Sequence, residues 1–215
     1  MMKLYLNDTS PFARFVLAVA LEVEIEDIQF CWVDPWESPN SLIEINPFST
    51  VPVLKLDTNV VIFESLFICK YFIEQGEKNN FIQPYDANDL SRFSVGKTLM
   101  EMAFRNVILS RFVAKYEDCE LYVRSKTSIE RALIGIDRVF QAPPVKDKFS
   151  NLLMPDLCLA LAISYINFRV PSFLEKNVSG NTLEKLHQWE NRPSFKLTAP
   201  QSLKIKPKSL FELKA

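Results

Sequence analysis

Asn46-Pro47-Phe48-Ser49-Thr50-Val51-Pro52-Val53-Leu54-Lys55-Leu56-Asp57-Thr58-Asn59-Val60-Val61-Ile62-Phe63-Glu64-Ser65 is the stretch on which the architecture turns. Val53–Leu56 and Val60–Phe63 are apolar runs joined by Asp57-Thr58-Asn59, the pattern of a β-hairpin. Pro52 stands directly before the first run. Proline has no N–H to give to a strand ladder, so it sits at a strand's first residue or on an edge. Read alone, Pro52 opens an edge strand in trans. A cis Val51–Pro52 bond, turning the Val51 backbone groups outward toward a peptide-like ligand, is the alternative. Ser65 then begins a helix in which Leu66, Ile68, Cys69, Tyr71, Phe72 and Ile73 are mostly buried.

Toward the N-terminus, Lys3–Leu6 is a short strand ended by the turn-prone Asn7-Asp8-Thr9-Ser10. Ser10 can cap a helix, and Pro11 fits its first turn, where a missing N–H costs nothing. Phe12, Phe15, Val16, Val19, Ala20 and Val23 follow at helical spacing and make one apolar face. Ile28–Val33 reads as a strand, and Asp34–Asn46 as a polar, irregular segment. The first half is therefore β-α-β followed by β-β-α: a parallel pair with its crossover helix, plus an antiparallel hairpin, in one mixed sheet.

Toward the C-terminus the strand signals fade. Residues 77–88 read as a linker, polar and containing Pro84 and Asp86. Helical patterns then cover Asp89–Tyr116, Ser125–Phe140, Pro155–Phe168 and Leu183–Glu190, the third apolar nearly all round and so expected to be buried. The division expected is a sheet-containing domain over 1–76, the linker, an all-helical domain over 89–200, and a tail over 201–215. Lys204, Lys206 and Lys208 alternate in that tail, which reads as lying along the surface or fraying.

Composition narrows the chemistry. In 215 residues there are 25 Lys+Arg against 26 Asp+Glu, so no basic excess points to nucleic acid. The four glycines, Gly76, Gly96, Gly135 and Gly180, stand far apart, so no glycine-rich phosphate loop or dinucleotide fingerprint exists. The single histidine, His187, cannot form a His-pair metal motif and reads as a surface or packing residue. Cys31, Cys69, Cys119 and Cys158 form no CxxC, so neither a zinc knuckle nor a dithiol pair is encoded locally. The longest apolar runs have seven residues, against the ~20 needed to span a bilayer. The N-terminal residues lack a signal-peptide core, and the expectation is a cytoplasmic chain with reduced thiols and no membrane association.

Two junctions could carry chemistry. Ser10 opens a helix, where free N–H groups and about half a positive charge favour an anion or thiolate; as a bare cap it would do nothing more. At Glu64-Ser65 a strand becomes a helix. The Ser65 hydroxyl and nearby N–H groups could hold a carboxylate while Glu64 holds an ammonium, as a zwitterionic amino-acid end requires; plain capping is the alternative.

In this order the elements resemble the glutathione transferase superfamily, in particular bacterial, serine-type cytosolic members. The resemblance rests on Ser10-Pro11-Phe12-Ala13-Arg14, on Asn46-Pro47 with Val51-Pro52-Val53-Leu54, and on Glu64-Ser65. It extends to Asp156-Leu157-Cys158-Leu159-Ala160 and to Trp189-Glu190-Asn191-Arg192-Pro193-Ser194-Phe195 with Thr198 and Pro200. It implies a thioredoxin-like domain, an all-helical domain and a homodimer. It further implies glutathione as co-substrate, no metal, and a small electrophile or peroxide as second substrate in detoxification. By the family's pattern Pro52 is cis, Val51 hydrogen-bonds the cysteinyl part of glutathione, Glu64 and Ser65 hold its γ-glutamyl end, and Ser10 donates to its sulfur. Phe12, Phe104 and Arg111 are the expected electrophile contacts. Glutaredoxin-like relatives carry Cys where Ser10 stands, so disulfide or dehydroascorbate reduction is disfavoured.

The chain departs from the pattern in two places. Ser49-Thr50 replaces the frequent Gly-Lys or Gly-Gln, and Thr50 is too short for the usual contact with glutathione's glycine end. Leu153 and Pro155 replace the hydroxyl cap before the buried helix, leaving Asp156 to reach back to a free N–H. The first departure sustains a second reading, a non-catalytic relative working through protein partners, as stringent starvation proteins do with RNA polymerase.

Overall fold

Four short strands form one mixed sheet: β1 (Lys3–Leu6), β2 (Gln29–Trp32), β3 (Val53–Lys55) and β4 (Val61–Phe63), in the order β2-β1-β3-β4. The computed structural model describes residues 1–26, 28–76, 85–141 and 153–215. β1 pairs parallel with β2 and antiparallel with β3, and β3 pairs antiparallel with β4. This is the mixed sheet that the crossover and the hairpin imply. The helix joining β1 to β2, α1 (Pro11–Glu22), begins at the Ser10-Pro11 pair.

A short α2 (Asn40–Ile43) lies in the segment read as irregular, beside a 3-10 turn at Pro35–Glu37. Only Leu42 of α2 is buried, so its sequence carries no amphipathic signal. α3 (Ser65–Gln75) starts directly after β4 and packs along α1. α1 is buried beyond the single face expected: Leu17 and Ala18 are as enclosed as Phe15 and Val19, and Arg14 is buried with them.

The chain divides into two compact units, one comprising Met1–Gln83 with Pro193–Ala215, the other Pro84–Arg192. The expected linker falls partly outside the described residues, at 77–84. α4 (Ala87–Phe112) begins within that expected linker because Asp86 and Asp89 cap it reciprocally, Asp89 N donating to Asp86 Oδ1 at 2.8 Å and Asp86 N to Asp89 Oδ2 at 3.2 Å. It ends at Phe112, short of Tyr116: Val113 turns extended and Lys115 takes φ 52°, leading into a 3-10 turn at Tyr116–Asp118. Next come α5 (Glu120–Gln141), α6 (Met154–Arg169), α7 (Pro171–Asn177) and α8 (Gly180–Glu190).

α6 is buried from Leu157 to Ile166, as its all-round apolar sequence requires. α4 packs closely on it because Gly96 has no side chain: a Cβ there would stand 2.7 Å from Leu159 N and 2.8 Å from Leu159 Cα. Leu153 gives no side-chain cap to α6, and Asp156 does not reach back as expected. Its Oδ1 accepts from Arg92 Nε at 2.9 Å, while Arg92 also bonds Asp89, so a stronger charged partner takes the carboxylate. Asp137 of α5 caps α8, accepting from Ser179 N, Ser179 Oγ and Thr182 Oγ1, each at 2.7 Å.

Residues 193–215 are grouped differently from the sequence reading, which gave 193–200 to the helical domain and left 201–215 as a tail. They form α9 (Pro193–Leu197), α10 (Pro200–Leu203) and α11 (Leu210–Lys214), all within the sheet-containing unit. Phe30 N donates to Lys208 O at 2.8 Å, Leu210 N to Ile28 O at 2.9 Å, and Trp32 Nε1 to Pro207 O at 2.8 Å. The segment thus covers the outer edge of β2. Leu203, Pro207, Leu210 and Leu213 are buried between the exposed lysines. Those apolar residues, rather than the lysines, decide the outcome.

Two predictions follow from this packing. Alanine in place of an exposed mid-helix glycine gains ~1 kcal/mol. Gly96→Ala should instead destabilise by about 1–3 kcal/mol, because the clash is with backbone; urea unfolding measures the sign. Burial pushes the Cys158 thiol up from 9.0 to about 12. The unfolded chain then releases a proton that the native state keeps, so stability holds below about pH 9 and falls as pH rises toward 12. Unfolding midpoints across that window should fall less in Cys158→Ala.

Candidate functional site

One row of the sheet sets the geometry. Tyr5 of β1 is paired with Val53 of β3, which is paired with Phe63 of β4. One step beyond that row in each chain direction lie Leu6, leading into the turn to Ser10, then Pro52 preceded by Val51, and Glu64 followed by Ser65. The antiparallel register therefore brings all three junctions singled out in the sequence to the same end of one sheet. A single-residue slip in either pair would break the alignment.

Ser10 is the N-cap of α1. Its Oγ accepts from Ala13 N at 3.2 Å, and its own N–H donates to Asn7 Oδ1 at 2.9 Å. The capping role is therefore real, and it leaves chemistry over. A hydroxyl has two acceptor lone pairs and one O–H, and capping occupies only one lone pair. The side chain is 8% exposed, so the proton it can donate sits at a nearly closed surface beside the helix N-terminus.

The Val51–Pro52 bond is cis. Pro52 is buried and Val51 half-buried. The loop before it is organised by a residue that sequence reasoning missed, Asn46, which is fully buried. Its Nδ2 donates to Thr50 O at 3.0 Å and to Thr50 Oγ1 at 2.9 Å, and its Oδ1 accepts from Phe48 N at 3.2 Å. Asparagine in a polar stretch reads as a turn former, so only burial distinguishes it. Ser49, at φ 49°, donates its hydroxyl to Pro35 O at 2.9 Å. Ser49 and Thr50 both spend their side chains on the loop itself.

Glu64 has φ 70° and ψ 114°, a backbone state that costs a non-glycine residue of order 1–3 kcal/mol. It is the N-cap of α3, yet its side chain makes no capping bond and is exposed. Ser65 is 4% exposed at the first position of that helix. The exposed carboxylate can accept from an ammonium while the hydroxyl and helix-terminal N–H groups beside it donate to a carboxylate.

Phe12 is half-buried on α1, two residues past Ser10. Phe104 and Arg111 belong to the other unit, two turns apart on one face of α4, the first half-buried and the second exposed. Cys31 is partnered with Tyr5 across β1 and β2. Burial raises its thiol pKa, Lys3 and the Tyr5 hydroxyl pull less strongly downward, and the thiolate is disfavoured. Among the described residues no cluster of His, Cys, Asp and Glu could hold a metal ion, and no helix is long and apolar enough to cross a membrane.

Residues 9–75, which contain all three junctions, match the family model described as glutathione S-transferase, N-terminal domain. A glutathione transferase family member from Pseudomonas fluorescens Pf-5, solved with bound glutathione, superposes with a TM-score of 0.78 at 22% identity, over 93% of this chain and 99% of that one. A glutathione S-transferase from Methylobacillus flagellatus, also with glutathione bound, gives 0.77 at 22% identity, over 93% and 100%. Gtt2 from Saccharomyces cerevisiae gives 0.70 at 16% identity, over 91% and 99%. No curated protein matches the sequence. At such identities the superpositions speak for the fold, a thioredoxin-like sheet unit with a helical unit, while the family model speaks for the sequence of the sheet unit. Residues 9–75 thus match the N-terminal domain of glutathione S-transferases, and the chain as a whole shares the glutathione transferase fold.

Proposed function

We propose that this chain binds glutathione where Ser10, Val51-Pro52 and Glu64-Ser65 meet, and promotes attack of the glutathione thiolate on a small electrophile. The register that draws the three junctions to one end of the sheet is the observation that carries this reading. Val51 main-chain groups pair with the cysteinyl residue. Ser65 and the α3 N-terminus take the γ-glutamyl carboxylate, and Glu64 takes its ammonium. Thr50 lies beside the glycine end and contributes little there.

Glutathione's thiol is mostly protonated near neutral pH. The Ser10 O–H and the α1 N-terminus lower its pKa by stabilising the thiolate, and the proton leaves to solvent. The sulfur lone pair then forms a C–S bond as the leaving group departs with its bonding pair. With a peroxide the sulfur forms an S–O bond as the O–O bond breaks and the other oxygen leaves as alkoxide, protonated by solvent; a second glutathione thiol then reduces the sulfenic acid to disulfide and water. None of these steps calls for a metal ion. Phe12, Phe104 and Arg111 are proposed as electrophile contacts on the family's pattern.

The same reading proposes a cytoplasmic detoxifying role, where thiols stay reduced, and a homodimer. Phe48 is 70% exposed and Phe67 60%, and Phe48 stacks edge-on with Phe63 at 6.0 Å. The exposed Phe48–Phe63 pair suits a contact with a second copy of the chain.

A second reading, a relative that works through protein partners without catalysis, draws on Ser49 and Thr50. Thr50 Oγ1 accepts from Asn46 and Ser49 Oγ donates to Pro35 O, and neither side chain is a long cationic or amide group.

Calorimetric titration with glutathione separates the two. Saturable binding at millimolar concentration or tighter is expected, and the Glu64→Ala, Ser65→Ala double variant should lose it. Absence of heat and of any thermal shift at several millimolar would remove the transferase reading and direct attention to a pull-down. Ser10→Ala should keep glutathione affinity while turnover with a model electrophile falls about tenfold to a hundredfold, the worth of a hydrogen bond to a charged atom.

A further inference from the structure

We propose that Arg14 is a positioning residue for Ser10, tying the first turn of α1 to the C-terminal segment so that the Ser10 hydroxyl stays aimed. The inference rests on the glutathione reading above and adds to it the part of the chain that holds the donor in place.

A guanidinium is strongly solvated, and one that is 7% exposed needs fixed partners. Arg14 Nη2 donates to Phe195 O at 3.2 Å, Nε donates to Thr198 Oγ1 at 3.5 Å, and the guanidinium carbon lies 5.7 Å from the centre of the Phe195 ring. The acceptors are themselves held. Thr198 is fully buried and donates its hydroxyl to Ser194 O at 2.5 Å. The planar fork thus engages two points three residues apart on one rigid segment, which a lysine ammonium cannot reproduce.

The other end of the link reaches the site directly. Arg14 N donates to Ser10 O at 3.0 Å, closing the first turn of α1, and the residue before it, Ala13, gives its N–H to Ser10 Oγ. Rotation of that turn would redirect the Ser10 hydroxyl. A separate tie at the far end of α1, Ser194 Oγ to Glu22 Oε1 at 2.5 Å, joins the same segment to the same helix without touching that turn. It provides a control for stability alone.

The test compares wild type with Arg14→Lys, Thr198→Val and Ser194→Ala. Three readings are taken: glutathione affinity by calorimetry, the ultraviolet absorbance of bound thiolate at fixed pH, and the thermal midpoint. Arg14→Lys and Thr198→Val should leave affinity within about threefold while lowering the bound thiolate-to-thiol ratio by about fivefold or more, since one charge-assisted bond is weakened. Ser194→Ala should lower the thermal midpoint and leave that ratio unchanged. An unchanged ratio in the first two variants, whatever their thermal midpoints, makes Arg14 a packing residue and overturns the proposal. If Arg14→Lys fails to fold, Thr198→Val, which alters no charge, decides by the same criterion. Wild type that binds no glutathione overturns the functional reading itself and this inference with it. Binding with unaltered variants overturns the inference only.

Discussion

The pairing of Tyr5 with Val53 and of Val53 with Phe63 is the constraint on which the rest depends. Side chains alternate along a strand, so this row fixes which residues face the core and where each strand runs out. Three chain segments run out together at one end of the sheet. Each is short and polar or strained, and none could form a site alone. Ser10 contributes a capped hydroxyl, Pro52 a cis bond, and Glu64 an exposed carboxylate in an unusual backbone state. The apolar rows beneath, with Leu4, Leu6 and Leu54 fully buried, hold the three in register.

The C-terminal segment supports this arrangement from another side. It borders α1 through Arg14 and Glu22 and runs along β2 through Phe30 and Trp32. An edge strand with free N–H and C=O groups invites pairing with another chain. Here residues of the same chain cover β2, with Ser209 bridged to Gln29. The sheet-containing unit is thus assembled from both ends of the sequence.

What could be read in advance was local. Ser10-Pro11 marks the start of α1 at the residue where it begins, and Val53–Phe63 announces its hairpin, because capping and turn signals act over a few residues. α2 escaped because it has one turn and one buried residue. The packed tail escaped for a different reason: Trp32 and Pro207 are 175 residues apart, and nothing in either neighbourhood names the other. The site divides in the same way. Ser10, Pro52, Glu64 and Ser65 are unusual residues at strand ends and could be singled out. Asn46 and Arg14 stood in the quoted motifs with no role read for them, and only tertiary burial gives them their roles.

The discontinuity of the first unit has a consequence for biosynthesis. Residues 193–215 leave the ribosome only after Pro84–Arg192 has been made, which at roughly 10 residues per second takes on the order of ten seconds. For that interval any sheet the nascent chain forms has its β2 edge bare and the acceptors of Arg14 absent. The helical unit, contiguous in sequence, can finish first. The order of emergence therefore runs opposite to the order of completion, and a hold on the exposed strand by a chaperone would matter most during those seconds.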